Sequence, residues 1–416
     1  MRKKHSTYYV RRCNRIRKKK DNYFAEPHFS SNFAVKLQND YQRMKTMWML
    51  IFMVLPFLGV AYVAWHVWAI LPLGNGWKWL VIGVGILCFL LLFLDLGGVL
   101  DKLPLWLARV LYEVGTSSIF VLLYLTMLFL LLDAGRLLHL VPRSWLYDSA
   151  VSSVAITGFM LTVFVCGNLH YYNKKRVPLS LSTTKPLAHN YRIVMMSDLH
   201  LGYHNTRHDL THWVDLINAE QPNLVLIAGD IIDVSVAPLI KEDMAAELRR
   251  IKAPIYACVG NHEYYSQMPL ARQFYQDAGI HLLCDSSTVI DSTLLIIGRD
   301  DRTNIHRKTV AQLVAQANTI GTVTQLRPYT ILLDHQPYAL EKTEQAGIDF
   351  QLSGHTHQGQ VWPISWITNA IYECSWGSHR RGNTQYYVSS GLGIWGGKFR
   401  IGTQSEYVVA DIFHKE

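Results

Sequence analysis

Apolar residues fill long unbroken runs in the first half of the chain and short ones in the second. The two patterns predict different elements. Residues 47–71 hold no Asp, Glu, Lys or Arg, and at ~1.5 Å per residue such a helix crosses a hydrocarbon core of ~30 Å. Similar runs occupy about 77–94, 114–132 and 149–169. Trp77 and Trp79, Trp145 and Tyr147, and Tyr171 and Tyr172 stand at their ends, where amphipathic rings settle at headgroup level. Four such runs exceed what a soluble core supplies, so the pattern predicts about four transmembrane helices over 47–172. The first run is too long for a cleaved signal peptide and follows a long polar stretch. Residues 97–112 mix Leu and Trp with Asp101, Lys102 and Arg109; they read as an interfacial helix or as an ordinary connector.

A polar stretch at 173–190, with Pro178 and Pro186, reads as a linker. Beyond it, runs rich in β-formers at 191–197, 223–228, 254–259, 294–297, 330–333, 348–352, 388–390 and 407–412 predict strands. Helical patterns at 210–219, 239–251, 270–278 and 308–317 fall between them. This alternation predicts an α/β domain with a largely buried sheet over 191–416.

Charge sharpens the division. The 416 residues carry 40 Lys and Arg against 31 Asp and Glu, a formal charge of +9. Residues 1–190 hold 22 basic and 8 acidic side chains, and the remainder 18 and 23. The acidic back half lacks the charge that neutralises phosphates along a nucleic acid, so no nucleic-acid partner is expected there. The basic tail over 1–46 reads as topogenic, with binding to anionic lipid or nucleic acid as the lesser reading. Lys174, Lys175 and Arg176 follow the fourth run. Both ends of an even-numbered anchor are then basic, which places the second half on the cytoplasmic side of an inner membrane. Six cysteines lie far apart with no CxxC pair, which argues against a disulfide framework.

The polar residues of the second half fall where its strands end. Ser197-Asp198-Leu199-His200 follows the first strand, Gly229-Asp230-Ile231-Ile232-Asp233 the second and Gly260-Asn261-His262-Glu263 the third. Asp334-His335 and Gly354-His355-Thr356-His357 follow two later ones. In open α/β sheets, ligands bind beyond the carboxyl ends of strands. Carboxylate, amide and imidazole without thiolate suit divalent ions such as Mn, Fe or Zn. Without an ion, such a cluster would be poorly compensated. Two ions ~3.5–4 Å apart would bridge an attacking hydroxide and clamp a phosphoryl group for in-line displacement.

The ordered set DxH, GDxxD, GNHE, a lone His and GHTH resembles the calcineurin-like metallophosphoesterase superfamily over about 191–416. Its longer forms, Ser-Asp-Leu-His-Leu-Gly and Gly-His-Thr-His-Gln-Gly-Gln, resemble a membrane-associated bacterial branch. That branch includes UDP-diacylglucosamine pyrophosphatases and related lipid-side phosphodiesterases. The resemblance implies a four-layer α/β/β/α sandwich behind the transmembrane bundle. It also implies that Asp198, His200 and His357 hold a first metal, that Asp230 bridges, and that Asn261, His335 and His355 complete a second. His262 would stabilise the transition state or protonate the leaving oxygen, with Asp233 orienting it. Gln358 departs from the branch, which more often has Gly there.

Other residues have plainer readings. His208 and His212 share a helix face without an HExxH pattern and read as surface residues. Glu263 reads equally as a partner of its loop or as an acid, Asp334 as pointing away from the metals, and Cys258 as a small buried side chain. The segment 362–399, with Trp362, Trp366, Trp376, Trp395, Arg380 and Arg381, reads either as a membrane-leaning wall of the site or as a packed loop. The combined expectation is a membrane-anchored phosphodiester or pyrophosphate hydrolase. It would use two divalent ions, manganese first and iron or zinc as alternatives, on a lipid or lipid-linked substrate. A soluble nucleotide phosphodiesterase, a protein phosphatase and a non-catalytic membrane scaffold with a structural metal are the alternatives.

Overall fold

The computed structural model describes residues 54–319 and 327–415. The basic tail and the start of the first apolar run lie outside them. The chain divides into units 1–59 and 60–416; of the first, only the opening turns of a helix fall among the described residues. Four apolar helices come first: α1 (Val54–Ile70), α2 (Asn75–Leu91), α3 (Leu105–Leu137) and α4 (Ala150–Tyr172). The last three are long and apolar enough to span a bilayer, and α1 is shorter. Trp79, Leu131, Val154 and Leu161 project outward from them, exposed, a surface that hydrocarbon would cover. Inside, His66 and Tyr62 both bond Asp133, at 3.0 and 2.7 Å, so the acid is partnered as an intramembrane carboxylate must be.

The helix α3 starts well before the predicted run at 114–132. Its 33 residues make a rod of about 50 Å, longer than a bilayer core. Residues 105–112 are therefore the first turns of α3 rather than a separate interfacial element. Just before them, Asp101 accepts from the Tyr203 hydroxyl and from Ser235 Oγ of the α/β domain.

The expected linker at 173–190 contains a strand, a correction to the sequence reading. β1 (Lys175–Thr183) pairs in parallel with β12 (Glu406–His414), from Lys175↔Glu406 to Thr183↔His414. Val177, Leu179 and Leu181 pack inward in alternation. The basic residues that open the strand and the intervening Pro178 suit the outermost strand of a sheet, which needs only one side of its ladder.

Between these lie β2 (Tyr191–Met196), β3 (Leu224–Ala228), β4 (Ile255–Cys258), β5 (Ile280–Leu282), β6 (Ser286–Ile290), β7 (Leu294–Gly298), β8 (Tyr329–Leu333), β9 (Phe350–Ser353), β10 (Gly377–Arg381) and β11 (Thr384–Val388). They form two six-stranded sheets, ordered β1-β12-β2-β3-β4-β5 and β10-β11-β9-β8-β7-β6. The strand expected at 388–390 lies earlier, as β11. The helix expected over 239–251 breaks in two at Asp243, whose φ is +50°.

Period-two alternation builds the layers. Ile193 and Met195 of β2 face the second sheet in a core shared with Ile296, Ile331 and Leu352. Val194 and Met196 face helices with Trp213 and Leu248. On the far side, Leu295, Ile297 and Leu332 pack on Leu313 of the helix Val310–Thr319. Helix, sheet, sheet and helix follow in order, and strands buried on both faces read as continuous apolar runs.

Candidate metal centre

Strands β2, β3 and β4 run parallel and adjacent in one sheet, as do β8 and β9 in the other. Their carboxyl ends meet at one edge of the sandwich. The turns leaving them are sharp: Asp198, His200, Asp230, His355 and His357 all have left-handed φ, between +43° and +70°. Each such residue costs about 1–3 kcal/mol unless its surroundings enforce it. The enforcement is visible. Asp198 N–H donates to Gly229 C=O and His200 N–H to Asp230 C=O, both at 3.0 Å, and His355 N–H donates to the Asp198 carboxylate at 3.0 Å. Gly354 and Gly260 leave room for this; a Cβ on either would collide with the carboxylate of Asp198 or Asp230.

The ligand atoms of Asp198, His200 and His357 lie within 4.8 Å of one another, as do those of Asp230, His335 and His355. His200 Nε2 is 3.1 Å from His357 Nε2 and 3.7 Å from Asp230 Oδ2, so the two clusters adjoin. His335 Nε2 stands 3.0 Å from Asp230 Oδ2, its Nδ1–H held by Ala228 C=O at 2.7 Å. Asn261 sits beside Asp230, whose Oδ1 accepts the next N–H, that of His262, at 3.0 Å. The Oδ1 of Asn261 and the Nδ1 of His357 are buried with no protein partner. An orphaned amide oxygen and four imidazoles beside the buried carboxylates of Asp198 and Asp230 fit divalent cations. The charge states agree. Burial, reinforced by His200, holds His357 well below its usual range, and burial with His335 lowers His355 to about 4, leaving both rings neutral. Burial pushes Asp230 up, yet the His335 and His262 imidazoles outweigh it and keep the carboxyl well below its ordinary value.

Asp233 joins a third group with His200 and His262, but its contacts are hydrogen bonds. His200 Nδ1 lies 3.2 Å and His262 Nδ1 3.3 Å from Asp233 Oδ1, and His262 Nδ1–H also reaches Asp233 C=O at 2.9 Å. One carboxylate thus orients both rings. Burial opposes the His262 cation, but Asp230 and Asp233 prevail and lift its pKa to about 9.

The plainer readings separate cleanly. His208 and His212 are exposed on the helix Arg207–Ala219. Asp334 faces away and binds Arg299 and Arg307, both at 2.9 Å. Cys258 is fully buried. Glu263 is a loop lock, accepting the N–H groups of Asp230, Ile231, Ile232 and Gly260 at 2.6–3.1 Å. Arg380 and Arg381 lie on the outermost strand β10, and Arg381 is taken by Glu344 and Glu373 rather than offered to a phosphate.

Three contributors escaped the sequence reading. Arg400, fully buried, donates to His357 C=O at 2.7 Å and to Ser390 C=O. Asn205 donates to the carbonyls of Leu199 and His200, both at 3.0 Å, and accepts from Tyr171 of α4 at 2.7 Å. Tyr112 of α3 donates to Asp233. None stands in a motif, and nothing in local spacing marks them.

Residues 191–359 match the calcineurin-like phosphoesterase family. A transmembrane protein with a metallophosphoesterase domain from Danio rerio is 28% identical over 333 residues, covering 74% of each chain. An uncharacterized metallophosphoesterase of Campylobacter jejuni is 26% identical over 64% of this chain and 70% of its own. Another, from Bacillus subtilis, is 31% identical over 49% of this chain and 72% of its own. The chain belongs to the calcineurin-like metallophosphoesterases. It is a metal-dependent phosphoester hydrolase joined to apolar helices of membrane-spanning length.

Proposed function

We propose that the protein hydrolyses a phosphodiester or pyrophosphate of a lipid or lipid-linked substrate at the cytoplasmic face of an inner membrane, with two divalent ions and Mn2+ as the first candidate. The observation that carries this reading is the helix Ile364–Ile371, which begins seven residues after His357. It has no buried residue, and Trp366, Ile367 and Ile371 are exposed beside Trp362 and Trp376. Apolar rings and branched chains in that density suit a lipid interface. The patch is tied to the anchor, since Tyr124 of α3 donates to Trp362 C=O at 2.6 Å. The positive-inside pattern supports the cytoplasmic side.

In this reading Asp198, His200 and His357 would hold one ion, and Asn261, His335 and His355 the other, with Asp230 available to both. Bound divalent ions polarise phosphoryl oxygens and lower the pKa of an attacking water. His262, fixed through Nδ1 by Asp233, would deliver a proton from Nε2 to the departing oxygen.

Trp366→Ser with Ile367→Ser, in full-length protein reconstituted in vesicles, tests the substrate class. Each buried apolar side chain contributes about 1.5–3 kcal/mol, so turnover of a lipid pyrophosphate should fall at least about tenfold. Turnover of bis(4-nitrophenyl) phosphate should stay unchanged. Equal losses on both substrates, or none on either, refute the lipid reading. Trp376 and Trp395 are poorer probes, because the Trp376 indole donates to Glu406 at 3.0 Å and Trp395 is half-buried.

A further inference from the structure

The anchor reaches into the active centre through one hydroxyl. Tyr112 lies two turns into α3 and is almost fully buried, its ring 5.6 Å from that of Tyr203 and 5.4 Å from that of His204. A buried tyrosine hydroxyl needs an acceptor, and most acceptors would serve. Here the acceptor is Asp233 Oδ2, at 2.5 Å, on the carboxylate whose Oδ1 faces both His200 Nδ1 and His262 Nδ1. A carboxylate gripped on one oxygen by a rigid helix presents the other in a fixed place. Partners of this kind set the ring orientation of the histidines that bind metal.

We propose that Tyr112 is a positioning residue for phosphoester hydrolysis: the membrane helix α3 holds Asp233, and through it the imidazoles of His200 and His262, in their working orientation. The proposal rests on the metal-ligand reading of His200 given above, but not on the lipid substrate. Its consequence is that α3 is part of the catalytic apparatus as well as a tether. Tyr112→Phe keeps the ring and its packing and removes only the hydroxyl. Arg109→Met, one turn earlier, breaks the Arg109–Glu242 ion pair of the same docking surface, which touches no site residue.

The experiment uses full-length protein in detergent. It measures kcat and KM for bis(4-nitrophenyl) phosphate, and Mn2+ affinity from the electron paramagnetic resonance signal of the free ion. Loss of such an orienting partner weakens metal affinity or activity by about 10–100-fold. Tyr112→Phe should lower kcat by about that factor, with KM held within about twofold, and should weaken the tighter Mn2+ site by about tenfold. Arg109→Met should leave both near wild type. In an Asp233→Ala background Tyr112→Phe should change nothing further, because the acceptor it steadies is gone. Wild-type kcat and Mn2+ affinity in Tyr112→Phe overturn the proposal. Equal losses in Tyr112→Phe and Arg109→Met also overturn it, reducing the contact to docking. Because Mn2+ affinity is read without turnover and the probe is soluble, failure of the lipid reading leaves these outcomes interpretable.

Discussion

Glu263→Gln separates a structural lock from a catalytic acid, and the size of its effect follows from four hydrogen bonds. Oε1 accepts from Ile231 and Ile232 at 2.8 and 3.1 Å, and Oε2 from Asp230 and Gly260 at 3.1 and 2.6 Å. Burial and the neighbouring Asp230 push the Glu263 carboxyl up, while these donors act against them. A glutamine retains one oxygen, so two N–H groups in a fully buried turn lose their acceptor. Each costs about 1–3 kcal/mol, or about 2–6 kcal/mol together. The two surviving bonds also lose their charge assistance. With a urea dependence of roughly 3 kcal/mol per molar for a domain of this size, the unfolding midpoint should fall by about 1–2 M. The turn being released carries Asp230, and its neighbour carries Asn261. Bound metal measured by elemental analysis should therefore drop along with turnover. The assay is urea unfolding of the full-length protein in detergent, read by tryptophan fluorescence. A variant with a wild-type midpoint, full metal content and no turnover would refute the reasoning and make Glu263 the acid.

Two further expectations are simpler. Gly354→Ala places a methyl group against the Asp198 carboxylate and Ser197, so the variant should bind one ion fewer per chain by elemental analysis and lose turnover, while its urea midpoint falls by no more than about 1 M. Glu373 is held down to about 2, first by its contact with His379 and then by Arg381, against the opposing effect of burial. A depressed carboxyl stabilises the fold above its unfolded value, near 4.5, and that stability is lost as pH falls toward 2. The melting temperature should therefore decline more steeply below pH 4.5 in the wild type than in Glu373→Gln; parallel curves would disprove the assignment.

The turns that carry the proposed ligands were legible as turns in the sequence because two local signals meet there. An apolar run buried on both faces ends abruptly, as Ile193–Met196 ends before Asp198, and a glycine or a short polar residue takes the strained turn. Gly229 at φ +81° and Asp230 at +52° show why a glycine followed by a short polar residue suits such a corner. The strand Lys175–Thr183 was hidden by the same logic in reverse. Its opening Lys175 and its outward Arg176, Pro178 and Ser180 read as a linker, although Val177, Leu179 and Leu181 keep the alternation. The split at Asp243 was hidden because a single left-handed residue leaves the 3.6-residue apolar period on either side intact.

What the sequence conceals entirely is contact across distance. Tyr112 and Asp233 are separated by 121 positions, and Tyr171 and Asn205 by 34. No periodicity links them. Yet these contacts decide where the catalytic unit ends. His200 is held by Asn205, and Asn205 by Tyr171. His357 is held by Arg400, whose own N–H donates to Gly167 C=O of α4 at 3.0 Å. Gly167 is where α4 comes so close that a Cβ would press on Ile401. Cutting the chain at residue 191 would keep every proposed ligand, but it would strip β1 from its sheet and leave Asn205 Oδ1, Asp233 Oδ2 and the Arg400 N–H without their partners. Each is a buried polar atom whose loss of a bond costs about 1–3 kcal/mol, and each belongs to the surroundings that hold the left-handed turns in place. The same forces that bend the Asp198–His200 and His355–His357 turns into place are supplied in part by α3 and α4, so these two helices and the phosphoesterase domain belong to a single structural unit.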